Sequence, residues 1–157
     1  RQVKDIVDDT KTELKHEGVR FDEAIPLGVM IEVPAAALGI EAFAEEVDYV
    51  SIGTNDLVQF TMAADRINPA VAGLYKPDHP AILSLVKQVV EACERTRIPC
   101  TVCGEMAGDG RHARLLLGLG VRSLSVGPQL LASLKKSLRE IELIDAQAAA
   151  TEALRFR

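Results

Sequence analysis

Residues 48–56 read DYVSIGTND, a short run in which β-branched Val50 and Ile52 alternate with smaller or polar partners until Gly53 stops it and three polar residues follow. Such a run, bounded by turn-forming residues, predicts a buried strand over 48–53. The segment before it has the same shape. Residues 27–32, LGVMIE, begin after Pro26 and are halted by Pro34, which predicts a second buried strand whose last residue is the carboxylate Glu32. Between the two, Ala36, Ile40, Phe43, Ala44 and Val47 recur at helical spacing, so 35–47 is expected to be a helix and the unit is strand, helix, strand.

The alternation continues outward. Downstream, a short helix is expected around 57–61, then a polar loop through Asn68 and Pro77, then a strong helix over 80–96. Pro80 occupies the first turn of that helix, and Ile82, Leu85, Val86, Val89 and Cys93 share one face. A third strand is expected at 99–103, a helix at 109–119, a fourth strand at 123–126, a helix from Pro128 to about residue 141, and an Ala-rich helix from Asp145. Upstream, Val3, Ile6, Val7 and Leu14 mark a first helix ended by Gly18. Strands alternating with helices predict an α/β chain with a parallel sheet, and an open doubly wound sheet and a barrel both satisfy the pattern.

The 157 residues, 48% of them hydrophobic, suit a single domain with its own core. A net charge of −5 with 4% aromatic residues offers neither a basic stripe nor a stacking platform, which argues against nucleic-acid binding. No apolar stretch approaches the roughly 20 residues that a bilayer span requires, and the opening residues are charged, so a cytoplasmic protein without membrane insertion is expected. Cys93, Cys100 and Cys103 are an odd number with no disulfide framework and are expected to be thiols. The chain starts at Arg1 within a charged helix, and the expectation is a piece of a longer polypeptide.

In parallel α/β folds the loops that follow the strands share one rim, and chemistry gathers there. Here the rim receives Glu32; Gly53, Thr54, Asn55 and Asp56; and Cys103, Gly104 and Glu105, with Arg66 in a nearby loop. Glu32 and Asp56 are candidate ligands for a hard divalent cation, since Mg²⁺ takes one or two carboxylates and completes its octahedron with water and substrate oxygens. Either acid could instead serve a helix start as a cap or dipole partner. The Gly-Thr-Asn-Asp turn could expose amides to an anion or be a plain turn, and it is neither a Walker loop nor a dinucleotide fingerprint. Cys100 and Cys103, three apart in a strand, point to opposite faces and are not expected to share a disulfide or a metal. A rim-facing Cys103 could donate a proton, act as a nucleophile, or simply pack. His16, His79 and His112 form no ligand pair, and His79 suits a helix entry.

Three segments together, MIEVPAA at 30–36, DYVSIGTNDLVQ at 48–59 and CGEMAGD at 103–109, resemble the phosphoenolpyruvate-utilising enzymes. Within that family, ADR at 64–66, LYKP at 74–77 and HPA at 79–81 are similar to the phosphoenolpyruvate-protein phosphotransferase branch, Enzyme I, rather than to pyruvate phosphate dikinase or phosphoenolpyruvate synthase. Nearly the whole chain follows the family in order, although Gly127-Pro128-Gln129 departs from the small, Ser-rich stretch usual there.

The resemblance implies a (β/α)₈ TIM-type barrel, of which this chain supplies the C-terminal half, about strands five to eight. A complete barrel needs about 250 residues. It implies Glu32 and Asp56 as Mg²⁺ ligands, Asn55 and its backbone neighbours as the phosphate contact, and Arg66 as the neutraliser of the transferred phosphoryl group. Cys103 is implied as the acid that protonates carbon three of the enolate, giving pyruvate. The acceptor histidine and the region binding the carrier protein HPr are implied to lie in N-terminal domains absent from this chain, so the isolated piece is expected to be inactive. The family's barrel is also its dimerisation domain, which leaves a noncatalytic association module as an alternative. A weaker one is a carbon–carbon lyase on the same barrel.

Overall fold

Alternation along three short strands sorts the sheet into two unlike faces. In the computed structural model, which describes residues 2–155, β1 (Gly28–Ile31), β2 (Tyr49–Gly53) and β3 (Cys100–Cys103) pair in parallel in that order. Val29 lies opposite Val50, and Ile31 and Val102 both lie opposite Ile52. Ile31, Val50, Ile52 and Val102 are fully buried on one face and form the floor of the core. The other face carries Met30, Ser51 and Cys103, and Met30 and Tyr49 remain 48% and 40% exposed. A sheet covered by helices on both sides buries continuous apolar runs. This one is half open.

The helices are α1 (Gln2–His16), α2 (Pro34–Leu38), α3 (Ile40–Ala44), α4 (Thr54–Met62), α5 (Pro80–Thr96), α6 (Glu105–Gly108), α7 (Gly110–Gly118), α8 (Pro128–Arg139) and α9 (Leu143–Ala153), with a 3₁₀ turn at Ala72–Leu74. The longest of them, α5, is the main cover. His79 caps it by accepting from the Ala81 N–H through Nδ1 at 3.2 Å, Pro80 opens its first turn, and Ile82, Leu83, Val86, Val89, Val90, Ala92 and Cys93 are buried along one stripe. Each such fully buried aliphatic side chain contributes about 1.5–3 kcal/mol. α2, α3, α4 and α9 all pack against it.

The first three predicted strands and the helix at 80–96 are present, and the expected boundaries elsewhere shift by a few residues. The single helix expected over 35–47 is instead α2 and α3, separated at Gly39, whose helix propensity is poor and whose N–H bonds back to the Ala35 carbonyl. The turn α6 had no sequence signal of its own. A fourth full strand is not formed. Residues 123–126 are held by one parallel bridge, Val102 to Leu124, with the Val102 N–H donating to Ser123 at 3.0 Å and the Ser125 N–H donating to Val102 at 2.8 Å. The segment is hemmed between Gly120 and Pro128 and has no strand partner on its outer side among the described residues, so it is held to β3 by the Val102 backbone and by the Thr101 Oγ1 donating to Ser123 Oγ at 3.0 Å. The outer edge of β1 is likewise unpaired among the described residues. What results is a mixed α/β chain around a small parallel sheet.

All three cysteines are free thiols. No helix among the described residues is long and apolar enough to cross a membrane. α1 buries none of its residues and is tied down by polar links, including Lys4 to Glu46 at 3.0 Å and the Lys11 ammonium to the Glu23 carbonyl at 2.9 Å.

α7 and α9 meet where Gly118 lets the backbones touch: a Cβ there would stand 2.1 Å from the Ala146 carbonyl oxygen. Gly118→Ala is therefore expected to push α9 away and cost about 1–3 kcal/mol in urea unfolding. Gly73→Ala, with open space around it, should change stability by less than about 0.5 kcal/mol.

Candidate active site

The rim at the C-terminal ends of the strands is assembled from loops that are each short and locally determined. Glu32 follows β1 directly and is half-buried. Its carboxylate leans over the end of β2, because a Cβ on Gly53 would meet Glu32 Oε2 at 3.2 Å. Gly53 passes straight into α4, so Thr54, Asn55 and Asp56 form that helix's first turn. No side chain caps this helix start, and its first amides face the rim without an intrahelical partner.

Neither carboxylate is used as a helix cap. The residue capping α2 is Val33, which provides no side-chain bond, and Glu32 accepts no hydrogen bond and makes no ion pair among the described residues. Asp56 lies in the first turn of α4, where its charge suits the helix dipole, and it too has no direct partner among the described residues. Both carboxylates are half-buried and have no cationic partner among the described residues. No three potential ligands among His, Cys, Asp and Glu cluster within the described residues.

Cys103 ends β3 on the open face, opposite to Cys100 as alternation predicted. Its thiol receives a hydrogen bond from Ser51 Oγ at 3.5 Å and donates to the Ile52 carbonyl at 3.4 Å. Cys100 points to the other face, where its thiol meets Cys93 and is pushed up in pKa by that hydrogen bond and by burial. The two thiols of the Cys-Thr-Val-Cys stretch therefore serve separate surroundings.

The first turn of α4 and the segment that follows β3 are bolted together. Thr54, fully buried, donates from Oγ1 to the Cys103 carbonyl at 2.8 Å, and Asn55 Oδ1 accepts from the Glu105 N–H at 2.9 Å. Gly104 makes this approach feasible. Its φ is +92°, and a Cβ there would lie 2.5 Å from Thr54 Oγ1 and 2.8 Å from Asn55 Oδ1.

Arg66 reaches the same place from farther along the chain. α4 ends in Ala63, held in the left-handed conformation, and buried Ala64 anchors the chain. Asp65 and Asn68 then fold a tight turn, their side chains accepting from the N–H groups of Ile67 and Ala70, a habit of both residue types. From that turn the Arg66 guanidinium pairs with Glu105 at 3.6 Å. The Tyr75 hydroxyl donates to the Asn55 carbonyl at 3.2 Å. Burial, reinforced by the Glu105 carboxylate, pushes the Tyr75 phenol above its ordinary pKa, against a smaller opposing pull from Arg66. Asn55, Asp56, Arg66, Cys103 and Glu105 are thus gathered at one rim with Glu32 at its β1 side. The sequence reading placed Thr54 on the rim but missed Ser51 and Tyr75 as members. Ser51 was accessible from strand parity with Gly53, whereas Tyr75 sits in an irregular loop with no period to place it.

The chain matches the family described as "PEP-utilising enzyme, PEP-binding domain" over residues 1–143. It belongs to that family. It is 43% identical over 154 residues to a phosphoenolpyruvate-protein phosphotransferase of Haemophilus influenzae, 45% identical over 154 residues to one of Listeria monocytogenes, and 41% identical over 155 residues to one of Enterococcus faecalis. Each alignment takes in 98–99% of this chain but 27% of the relative. The chain therefore spans about a quarter of the length of these members of the PEP-utilising family.

Gly104→Ala is expected to open the rim, since it sets a strained φ against two fixed oxygens; about 1–3 kcal/mol of stability should be lost in chemical unfolding. Thr54→Ser, which keeps the hydroxyl, should retain most of the stability that Thr54→Val loses by leaving the Cys103 carbonyl without its donor, about 1–3 kcal/mol.

Proposed function

We propose that this chain is the phosphoenolpyruvate-binding part of a phosphoenolpyruvate-protein phosphotransferase of the Enzyme I type. The observation that carries this reading is the identity of 41–45% with such enzymes across almost the whole chain, and the gathering of Asn55, Asp56, Arg66 and Cys103 on one rim supports it. In this reading the chain is the C-terminal half of a TIM-type barrel. The half-open sheet face and the unpaired outer edge of β1 support that, because a barrel's inner face and its closing strands would come from the remainder of a longer parent.

The phosphate of phosphoenolpyruvate would lie against the start of α4, where Asn55 and the open amides face it, with the Arg66 guanidinium neutralising its charge. Glu32 and Asp56 would hold Mg²⁺, which when bound supplies further positive charge to the phosphoryl oxygens. In the transfer, the bond from phosphorus to the enol oxygen breaks and a bond from phosphorus to a histidine nitrogen elsewhere in the parent forms. The enolate left behind takes a proton at carbon three from the Cys103 thiol, giving pyruvate, and the resulting thiolate regains a proton from water. The thiol suits this position because sulfur does not compete with oxygen for Mg²⁺, while Ser51 and the Ile52 carbonyl fix its direction. HPr as the next phosphoryl acceptor, assembly of two copies through this domain, and a cytoplasmic location belong to the same proposal.

In the full-length parent, Cys103→Ala should slow pyruvate release by about 10²–10⁴-fold, the range of a lost general acid, while binding of phosphoenolpyruvate is largely retained. Arg66→Ala should lower phosphoryl transfer to the histidine by about 10²–10³-fold. Stopped-flow release of pyruvate and quantification of the phosphohistidine separate the two steps; a Cys103→Ala enzyme with undiminished pyruvate release removes the acid from the proposal.

A further inference from the structure

In the proposed reaction the Cys103 thiol gives its proton away and must recover one before the next turnover, while the product over the rim covers its upper side. What lies beneath it on the open sheet face then matters. Directly opposite Cys103 on β2 is Gly53, which offers no side chain. One step down the same face, Ser51 Oγ donates to the Cys103 sulfur at 3.5 Å, and the thiol's own hydrogen is aimed at the Ile52 carbonyl at 3.4 Å. A carbonyl has no proton to return, so Ser51 is the side-chain donor that the sulfur has among the described residues.

Ser51 does not stand alone. Across the ladder it lies between Met30 on β1 and Thr101 on β3. The Met30 thioether has no proton to give, but the Thr101 hydroxyl does, and its Oγ1 is 3.0 Å from Ser123 Oγ in the edge segment. A hydroxyl is donor and acceptor at once and turns to suit its neighbours. Adjacent strands stand about 4.8 Å apart, a span that one bridging water closes. The face below the thiol thus carries hydroxyls at Ser51, Thr101 and Ser123, and Ser123 is exposed. In a barrel of the proposed kind the inner layers are ordinarily branched aliphatic side chains, so a row of hydroxyls there calls for a reason.

We propose that Ser51 is the relay residue that reprotonates Cys103, supplied through the hydroxyls of Thr101 and Ser123. The Ser51 O–H bond breaks toward the thiolate sulfur as the Ser51 oxygen takes a proton from the next hydroxyl or its bridging water. The row ends on a solvent water, which is left as hydroxide; sulfur gains one proton and each hydroxyl finishes as it began. This rests on Cys103 as the acid of the proposed reaction and adds the route by which it is reset.

The test uses the full-length parent and two readouts: single-turnover formation of phosphohistidine from phosphoenolpyruvate, and exchange of the carbon-three protons of pyruvate for deuterium, followed by NMR. Exchange requires the sulfur to trade its proton with solvent, and phosphohistidine formation does not. Ser51→Ala is expected to slow exchange about tenfold to a hundredfold, the worth of a hydrogen bond to a charged group, and to change phosphohistidine formation less than about twofold. Ser51→Thr keeps a hydroxyl and should stay within about threefold of the unaltered enzyme, whereas Thr101→Val, which keeps the shape, should slow exchange about threefold to tenfold. In the Cys103→Ala background Ser51→Ala should add nothing. Unchanged exchange in Ser51→Ala means that the thiolate is reset from the rim and overturns the relay, and unchanged exchange in Thr101→Val overturns the row as its source. Equal losses in Ser51→Ala and Ser51→Thr, or equal losses in both readouts, mark a packing role and overturn the relay as well. If Cys103→Ala itself leaves exchange intact, the acid falls and the relay with it; exchange lost there but kept in Ser51→Ala overturns the relay alone.

Discussion

Everything at the rim depends on one buried contact, the hydrogen bond from Thr54 Oγ1 to the Cys103 carbonyl. It fastens the end of β3 to the first turn of α4 just where both strands give out, and Thr54 is fully buried and the sole polar member of the buried set among the described residues. A buried hydroxyl must find a partner, and removing that partner costs more than the bond contributes. The constraint therefore runs both ways: it places Cys103 relative to Asn55, and it requires Gly104, since any Cβ at that position would collide with the oxygens that make the contact. From this fastening the Asn55 side chain reaches Glu105 and Glu105 reaches Arg66, while the Tyr75 hydroxyl reaches the Asn55 carbonyl. Loops that are far apart in sequence become one surface.

The fold beneath is asymmetric for a reason that follows from strand parity. Val50, Ile52 and Val102 send their side chains to the helix layer, and the residues between them, Ser51 and Thr101, face the open side. Because Cys103 falls on the same parity as Ser51 across the ladder, its thiol is placed on the open face and meets the Ser51 hydroxyl. Cys100, of opposite parity, enters the helix layer and meets Cys93 from α5. One short strand thus delivers two thiols to unrelated surroundings.

Much of this was legible in the sequence because it rests on period and punctuation. The parity of Val50 and Ile52, the stop at Gly53, and the stripe from Ile82 to Cys93 fixed three strands and the main helix, and strand ends located Glu32, Asp56 and Cys103. Family resemblance singled out Arg66. What escaped has a physical explanation in each case. The break at Gly39 divides a helix whose apolar period runs through it, so periodicity alone could not reveal it. Residues 123–126 have strand-like composition, but forming a strand requires a partner edge, and β3 provides only Val102. Tyr75 joins the site through tertiary contacts from an irregular loop, and no local pattern announces such contacts.

The central claim is that this rim binds phosphoenolpyruvate with Mg²⁺ through Glu32 and Asp56. Calorimetric titration of phosphoenolpyruvate into the full-length parent, with and without Mg²⁺ and with Glu32→Gln and Asp56→Asn, tests it most directly. The account predicts Mg²⁺-dependent binding that either substitution weakens about tenfold or more, as expected when one of two carboxylates is lost from a hard-cation site. Binding that is unchanged by both substitutions, or that is indifferent to Mg²⁺, would contradict it.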